Sequence, residues 1–380
     1  MNARKTLMTL AICGLLAACV APIDQQRRQE TITALRAAAS DTESGDGLPI
    51  LIPRELVDST APAVKIGSFM TRVRSEYDLP DLAGMTQLHE VAAGEDLLMI
   101  AHEMGIGFRA LRDANPSIDE WEPKVGTEIV VPTRWILPQG APRGLLINVA
   151  ELRLFMFPDT TVPGEDVPVL TWPIGAGDSL WQTPIAPFTI TSKDTNPTWV
   201  VPASIYSKMQ HPRRVVPPGP DNPLGKHRIR LSLDTYLIHG TNDPWTVGRL
   251  TTHGCVRLYP EDVAFLYTLV DRGTTGVFVY QPVKLGRADD RIYVEVHRDI
   301  YQRFDDLEAH AFAEVARAGL SDRIDRERLK AAVQSRLGMP IDITRTLVSD
   351  TPAPGTPASG TPAPGTPASD APASGPTASR

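Results

Sequence analysis

The chain has 380 residues, enough for two or three domains, and 42% of them are hydrophobic, as a chain with a real core requires. Its 38 Lys and Arg against 45 Asp and Glu leave a net charge of −7. That gives no basic footprint for a phosphate backbone, so nucleic acid is excluded as the expected partner. Proline is in excess at 35 residues, eight of them within the last 30, which sets a tail apart from the rest.

Residues 1–18 read as an export signal: Arg4 and Lys5 are followed by a short apolar run from Leu7 to Ala18. A membrane span needs about 20 residues, so the run is too short to be one. It ends Leu16-Ala17-Ala18-Cys19, which resembles a bacterial lipoprotein lipobox. The resemblance implies cleavage before Cys19, lipidation of Cys19 and, with Val20 rather than Asp next, an outer-membrane anchor facing the periplasm. A plain secretory signal cut near Ala18 is the alternative. Under the lipoprotein reading Cys13 is removed and Cys19 is capped, so Cys255 is left as a free thiol in an oxidising compartment. A thiol without a disulfide partner there is a candidate nucleophile. Residues 19–87 are weakly patterned and read as a spacer, with local helix around Thr31–Ala39.

Residues 88–133 form a compact unit. The pattern predicts a strand at Leu88–Val91, a helix carrying Leu97, Ile100, Ala101 and Met104, a second helix over Phe108–Ala114, and a strand at Ile129–Val131. Val91, Gly94, Asp96, Leu97, Asn115, Pro116, Gly126 and Pro132 make this βααβ order resemble a LysM domain. LysM modules bind N-acetylglucosamine-containing glycans, so the resemblance implies a peptidoglycan-binding unit; a folded spacer without glycan affinity is the alternative.

Residues 144–283 read as mainly β, a sandwich or barrel. Short runs at 145–149, 152–157, 167–174, 188–192, 229–233, 236–239 and 276–280 are separated by Gly, Pro and Asp. One helix interrupts them: Pro260-Glu261-Asp262 is a good start, Val263, Leu266, Tyr267 and Val270 form a stripe, and Arg272-Gly273 a stop. Residues 284–345 read as a short helical C-terminal cap with one strand, Ile292–Val296. The repeat TPAPGTPASG within residues 351–380 cannot bury enough apolar surface to fold and reads as a disordered tail.

The chemistry concentrates in Leu237-Ile238-His239-Gly240-Thr241 and Thr252-His253-Gly254-Cys255-Val256-Arg257. A thiol near its ordinary pKa of about 8.5 is only a few per cent ionised at neutral pH, so it needs a base to become an acyl acceptor. His239 at a strand end, sixteen positions before Cys255, can take the proton and return it to a leaving amine. A thiolate paired in this way would react with iodoacetamide well below pH 8. Gly240 and Gly254 suit close backbone approach, and amides near Cys255 can stabilise an oxyanion. No CxxC is present, and His102-Glu103 lacks the second histidine of a zinc-protease helix. Asn196–Trp199 and Asn222–Gly225 read as cleft lining or as plain turns, and Trp245 and Arg249 have no assignable role.

These residues resemble the L,D-transpeptidase (YkuD-domain) family, whose signature is a histidine, a variable loop and Ser/Thr-His-Gly-Cys. Residues 147–154, 196–199, 217–225 and 238–242 are similar to its periplasmic, lipoprotein-anchoring ErfK/YbiS-like branch. The resemblance implies Cys255 as nucleophile, His239 as proton acceptor and donor, and the Gly240 carbonyl as orienter of that ring. His253 with the Gly254 and Cys255 amides would shape the oxyanion site, and Arg257 and Thr252 would bind the substrate, Arg257 taking its carboxylate and Thr252 standing where serine is commoner. It implies a peptidoglycan substrate, with a lipoprotein lysine or a diaminopimelate amine as acceptor, and no metal or organic cofactor. An L,D-carboxypeptidase and a non-catalytic LysM lipoprotein are the competing functions. A papain-like wall hydrolase needs its cysteine upstream of the histidine, the reverse of the order here.

Overall fold

The computed structural model describes residues 50–51, 65–72, 79–140, 143–157, 166–207 and 213–346. The export signal, Cys19, the helix expected near Thr31 and residues 351–380 lie outside them. Two strands precede the small unit: β1 (Ile50–Leu51) and β2 (Lys65–Arg72). The expected spacer is thus partly structured, because β2 pairs antiparallel with a strand of the large sheet over Gly67–Arg72. The spacer's own sequence has no strict alternation, and the pairing is supplied by that long partner.

The small unit follows with β3 (Leu82–Gly84), β4 (Gln87–Glu90), α1 (Leu97–Glu103), α2 (Phe108–Ala114), β5 (Glu128–Val131) and β6 (Arg134–Ile136). Asp96 caps α1 by accepting from the Met99 amide at 2.8 Å. The helices and the link between them bury Leu97, Ile100, Ile106, Phe108 and Leu111 against Ile129 and Val131 of β5. Asn115 clasps β5 to α2: its side chain donates to the carbonyls of Leu111 and Val130 and accepts the Val130 amide, at 2.7–2.8 Å. β3 pairs antiparallel with β6, so the chain enters and leaves the unit side by side.

The large sheet is built from β7 (Gly144–Asn148), β8 (Arg153–Phe157), β9 (Asp166–Pro173), β11 (Pro187–Thr195), β14 (His227–Leu231), β15 (Leu237–His239), β17 (Val256–Arg257) and β18 (Thr275–Val279). Short pairs flank it: β10 (Ala176–Gly177) with β16 (Leu250–Thr252), and β12 (Trp199–Val200) with β13 (Val215–Val216). The hydrogen-bonded order runs β1-β2-β9-β8-β7-β18-β11-β14-β15-β17. Nine-residue β11 hands over between two halves: Pro187–Thr189 pairs with β18, and Ile190–Thr195 with β14 through a register shift. One core serves both halves, with Ile147, Leu154, Trp172, Phe188, Ile229 and Val256 packed on Phe265 and Leu266. Those two residues belong to α4 (Pro260–Leu269), after the short helix α3 (Ala203–Tyr206).

The C-terminal region is mixed rather than helical. β19 (Val283–Ala288), β20 (Arg291–Val296) and β21 (Pro340–Asp342) form a three-stranded antiparallel sheet covered by α5 (Leu307–Arg317) and α6 (Arg326–Ser335). The run VKLGRA of β19 carries Lys284 and Gly286, which hid its strand character, and the expected domain edge at residue 283 falls on it. Lys284 is buried because its ammonium lies 2.7 Å from Glu151 and 2.8 Å from Glu295. This ion cluster ties the sheet of β19 to the turn after β7.

Among the described residues, no helix is long and apolar enough to cross a membrane.

Candidate active site

β15 and β17 run parallel, with Ile238 beside Val256 and His239 beside Arg257. Cys255 immediately precedes β17, so the turn that carries it enters the strand next to His239's at the level of the start of β15, after a fifteen-residue excursion from His239. His239 is 4% exposed, and its Nδ1 lies 2.6 Å from the Gly240 carbonyl. A carbonyl can only accept, so Nδ1 carries the proton and Nε2 keeps its lone pair. Burial, reinforced by the nearby Arg257 charge, lowers the imidazole pKa to about 3. The ring is neutral at physiological pH, with Nε2 as its unprotonated nitrogen.

Cys255 is partly buried, and its Sγ lies 3.5 Å from the Thr235 carbonyl. Burial raises its pKa, opposed by the Leu237 amide and by Arg257. The resting pair is thus thiol and neutral imidazole. At the sulfur, desolvation outweighs the neighbouring charge.

The turn 252–255 is tightly held. Thr252, 2% exposed, donates its hydroxyl to the Cys255 carbonyl at 2.6 Å and accepts the Gly254 amide at 3.2 Å. Thr252 is therefore committed inside the turn rather than facing substrate, and so is the Gly254 amide. His253 is exposed, with its ring 5.5 Å from that of Trp181. Gly254 has φ +99°, and a Cβ there would meet the Tyr236 ring at 2.7 Å.

Arg257 holds the sheet through its backbone, exchanging hydrogen bonds with Gly175 at 2.8 and 2.9 Å. Its guanidinium interacts with the charges of Asp243 and Cys255, and among the described residues its buried Nε has no hydrogen-bond partner. A guanidinium with an unpaired Nε, in the field of the Cys255 sulfur, is suited to an incoming carboxylate.

Other motifs resolve as structure. Asn222 is fully buried and ties its loop to the Pro197 carbonyl at 2.7 Å, so the two turn segments clamp each other. His102 pairs with Glu261 at 2.6 Å, and the Trp245 ring meets it edge-on. The Arg249 guanidinium lies 4.2 Å from the Phe108 ring centroid. Glu151, Glu295 and His297 converge as metal ligands might be arranged, yet the Lys284 ammonium sits on both carboxylates. Thr183 and Tyr236 also reach the turn, Tyr301 reaches Thr183, and none of the three carries a local sequence signal.

Residues 142–284 match the YkuD family, an L,D-transpeptidase catalytic domain. The chain is 33% identical over 290 residues to the Probable L,D-transpeptidase YcfS of Escherichia coli (strain K12), covering 70% of this chain and 87% of that protein. The chain belongs to the L,D-transpeptidase family. Another member is the Probable L,D-transpeptidase YbiS of the same strain, 32% identical over 73% of this chain and 94% of its own length. Among solved structures, the NMR structure of the catalytic domain of the E. faecium L,D-transpeptidase aligns over 37% of this chain and 100% of its own, at 17% identity and a TM-score of 0.29.

Proposed function

We propose that the chain is a peptidoglycan L,D-transpeptidase working through a Cys255 thioester. The observation that carries this reading is a buried, neutral His239, its Nδ1 fixed by the Gly240 carbonyl, on the strand beside the Cys255 turn. The Cys255 sulfur attacks the carbonyl of the third stem residue, meso-diaminopimelate, of a tetrapeptide donor while His239 takes the thiol proton. The tetrahedral oxyanion is met by the Cys255 N–H, with His253 at the rim. Collapse breaks the bond to the terminal D-Ala, whose amine leaves with the proton from His239, and Cys255 is left as a thioester. An acceptor amine then attacks the thioester, forms the new amide and restores the thiol.

Arg257, with its unsatisfied Nε, pairs with a donor carboxylate. The ErfK/YbiS-like resemblance favours the C-terminal lysine of a lipoprotein as acceptor; a diaminopimelate amine would give a 3→3 crosslink, and water an L,D-carboxypeptidase. The unit at residues 88–133, by its LysM resemblance, holds the glycan near the reacting stem. Lipidation of Cys19 would place the enzyme on the outer membrane, facing the periplasm.

The test is Cys255→Ala on a disaccharide-tetrapeptide. D-Ala release should fall at least about a thousandfold while sedimentation with peptidoglycan is retained. Undiminished release would rule the thioester out.

A further inference from the structure

Outside the residues of the matched catalytic domain, the C-terminal region sends one side chain to Gly177 and Thr183, which back on the turn that carries the nucleophile. Tyr301 is 6% exposed; its hydroxyl donates to the Gly177 carbonyl at 2.8 Å and accepts the Thr183 amide at 3.1 Å. Thr183 is fully buried, and its hydroxyl accepts the Gly177 amide at 3.0 Å and donates to the Gly254 carbonyl at 3.1 Å. A hydroxyl has one proton, so that of Thr183 is committed to Gly254.

We infer that Thr183 and Tyr301 are positioning residues that orient the Gly254–Cys255 peptide, and thereby the N–H that meets the oxyanion; this rests on the acyl-transfer reading above. A trans peptide is planar, with its C=O and N–H pointing opposite ways. Holding the Gly254 carbonyl on Thr183 turns the Cys255 N–H away from the Thr183 side. Without that hold the plane is soft, because Gly254 lies at φ +99°, where glycine is permissive. Thr252 secures the groups on either side, the Gly254 amide and the Cys255 carbonyl, but makes no bond to the Gly254 carbonyl. That group is left to Thr183.

Tyr301 makes the hold rigid. Its phenol closes a ring of hydrogen bonds with Gly177 and Thr183, and Gly177 backs directly on the turn, where a Cβ would lie 2.9 Å from the Gly254 Cα. The phenol is itself fixed from its own side. The Tyr301 amide donates to the Tyr280 hydroxyl at 2.9 Å, that hydroxyl donates to Asp299 at 2.5 Å, and the two rings stack. The C-terminal region is thus a support of the oxyanion site and not a separate appendage.

The experiment compares Thr183→Val, Thr183→Ser and Tyr301→Phe in the full chain. For Thr183→Val, kcat of D-Ala release should fall about 10- to 100-fold, less than the loss of a whole oxyanion donor, with KM unchanged. Tyr301→Phe should fall about 10-fold, and Thr183→Ser, which keeps the hydroxyl, should stay within about threefold of the parent. The pH midpoint of Cys255 alkylation should not move in any of them, as the surroundings of the sulfur are intact. A folded Thr183→Val with parental kcat, or a Ser variant as impaired as the Val one, would overturn the inference. If the parent chain itself releases no D-Ala, the acyl-transfer reading fails on its own account. A crystal structure of Thr183→Val then decides the positioning: a rotated Gly254–Cys255 peptide supports it, and an unchanged one overturns it.

Discussion

Burial holds His239 neutral and raises the pKa of the Cys255 thiol; on the proposed mechanism the proton moves as sulfur attacks and not before. Alkylation of Cys255 by iodoacetamide should therefore rise with a midpoint above the ordinary thiol range, and a reactive plateau at pH 6 would contradict this. The acid limb of kcat/KM due to the base should lie far below the usual imidazole value, toward 3. Stability follows the same group. The folded pKa is depressed, so the unfolded chain binds the extra proton between about pH 6.5 and 3, and stability falls with pH across that window. The slope from this residue is about 1.4 kcal/mol per pH unit, and urea unfolding of His239→Gln should lack it. Arg257→Gln should raise KM for the tetrapeptide about 10- to 100-fold, the worth of a hydrogen bond to a charged group, as steady-state kinetics would show. The candidate pair Cys255 and His239 was legible in the sequence because a lone thiol with a histidine sixteen positions before it is a rare combination. Thr183 and Tyr301 were not, since their bonds span 71 and 124 residues and no local spacing marks them.

At the scale of elements, the excursion between His239 and Cys255 is seated on the small unit. The Gly248 carbonyl accepts the Arg109 amide, the Arg249 guanidinium lies over Phe108, and the Tyr259 hydroxyl donates to the Ile106 carbonyl at 3.3 Å. Gly248 at φ +79° makes this possible, because a Cβ there would strike the Phe108 amide nitrogen and the Gly107 backbone. Gly126 has φ +78° and open space around it. Gly126→Ala should thus cost only the conformational strain, about 1 kcal/mol, whereas Gly248→Ala should cost at least about 2 kcal/mol more in urea denaturation. Equal costs would mean that the seat contributes nothing. The two helices and the β4–β5 pair of the small unit and seven strands of the large sheet followed from periodicity, whereas β3, β6 and the two- and three-residue strands β10, β12, β13, β16 and β17 did not. The seat did not, because Trp245 and Arg249 read as loop residues until their aromatic partners are in view.

For the whole molecule, three regions share one buried charge cluster. Glu151 follows β7, Lys284 and Glu295 come from β19 and β20, and Glu295 also accepts the Ile136 amide at the end of β6. Lys284→Met would leave two carboxylates buried without their cation and should lower stability by about 3–5 kcal/mol in urea unfolding. An unchanged midpoint would show the cluster to be incidental. This cluster also explains why the sequence divided the chain at residue 283: a lysine in a strand reads as surface unless its partners, 133 and 11 positions away, are known to be near. The central claim is acyl transfer through Cys255, and intact-protein mass spectrometry of the chain from residue 20, mixed with disaccharide-tetrapeptide, tests it most directly. The account predicts a thioester adduct on Cys255 equal to the donor less one D-Ala. An unmodified protein with the tetrapeptide intact, though still bound to peptidoglycan, would contradict it and leave a binding module in its place.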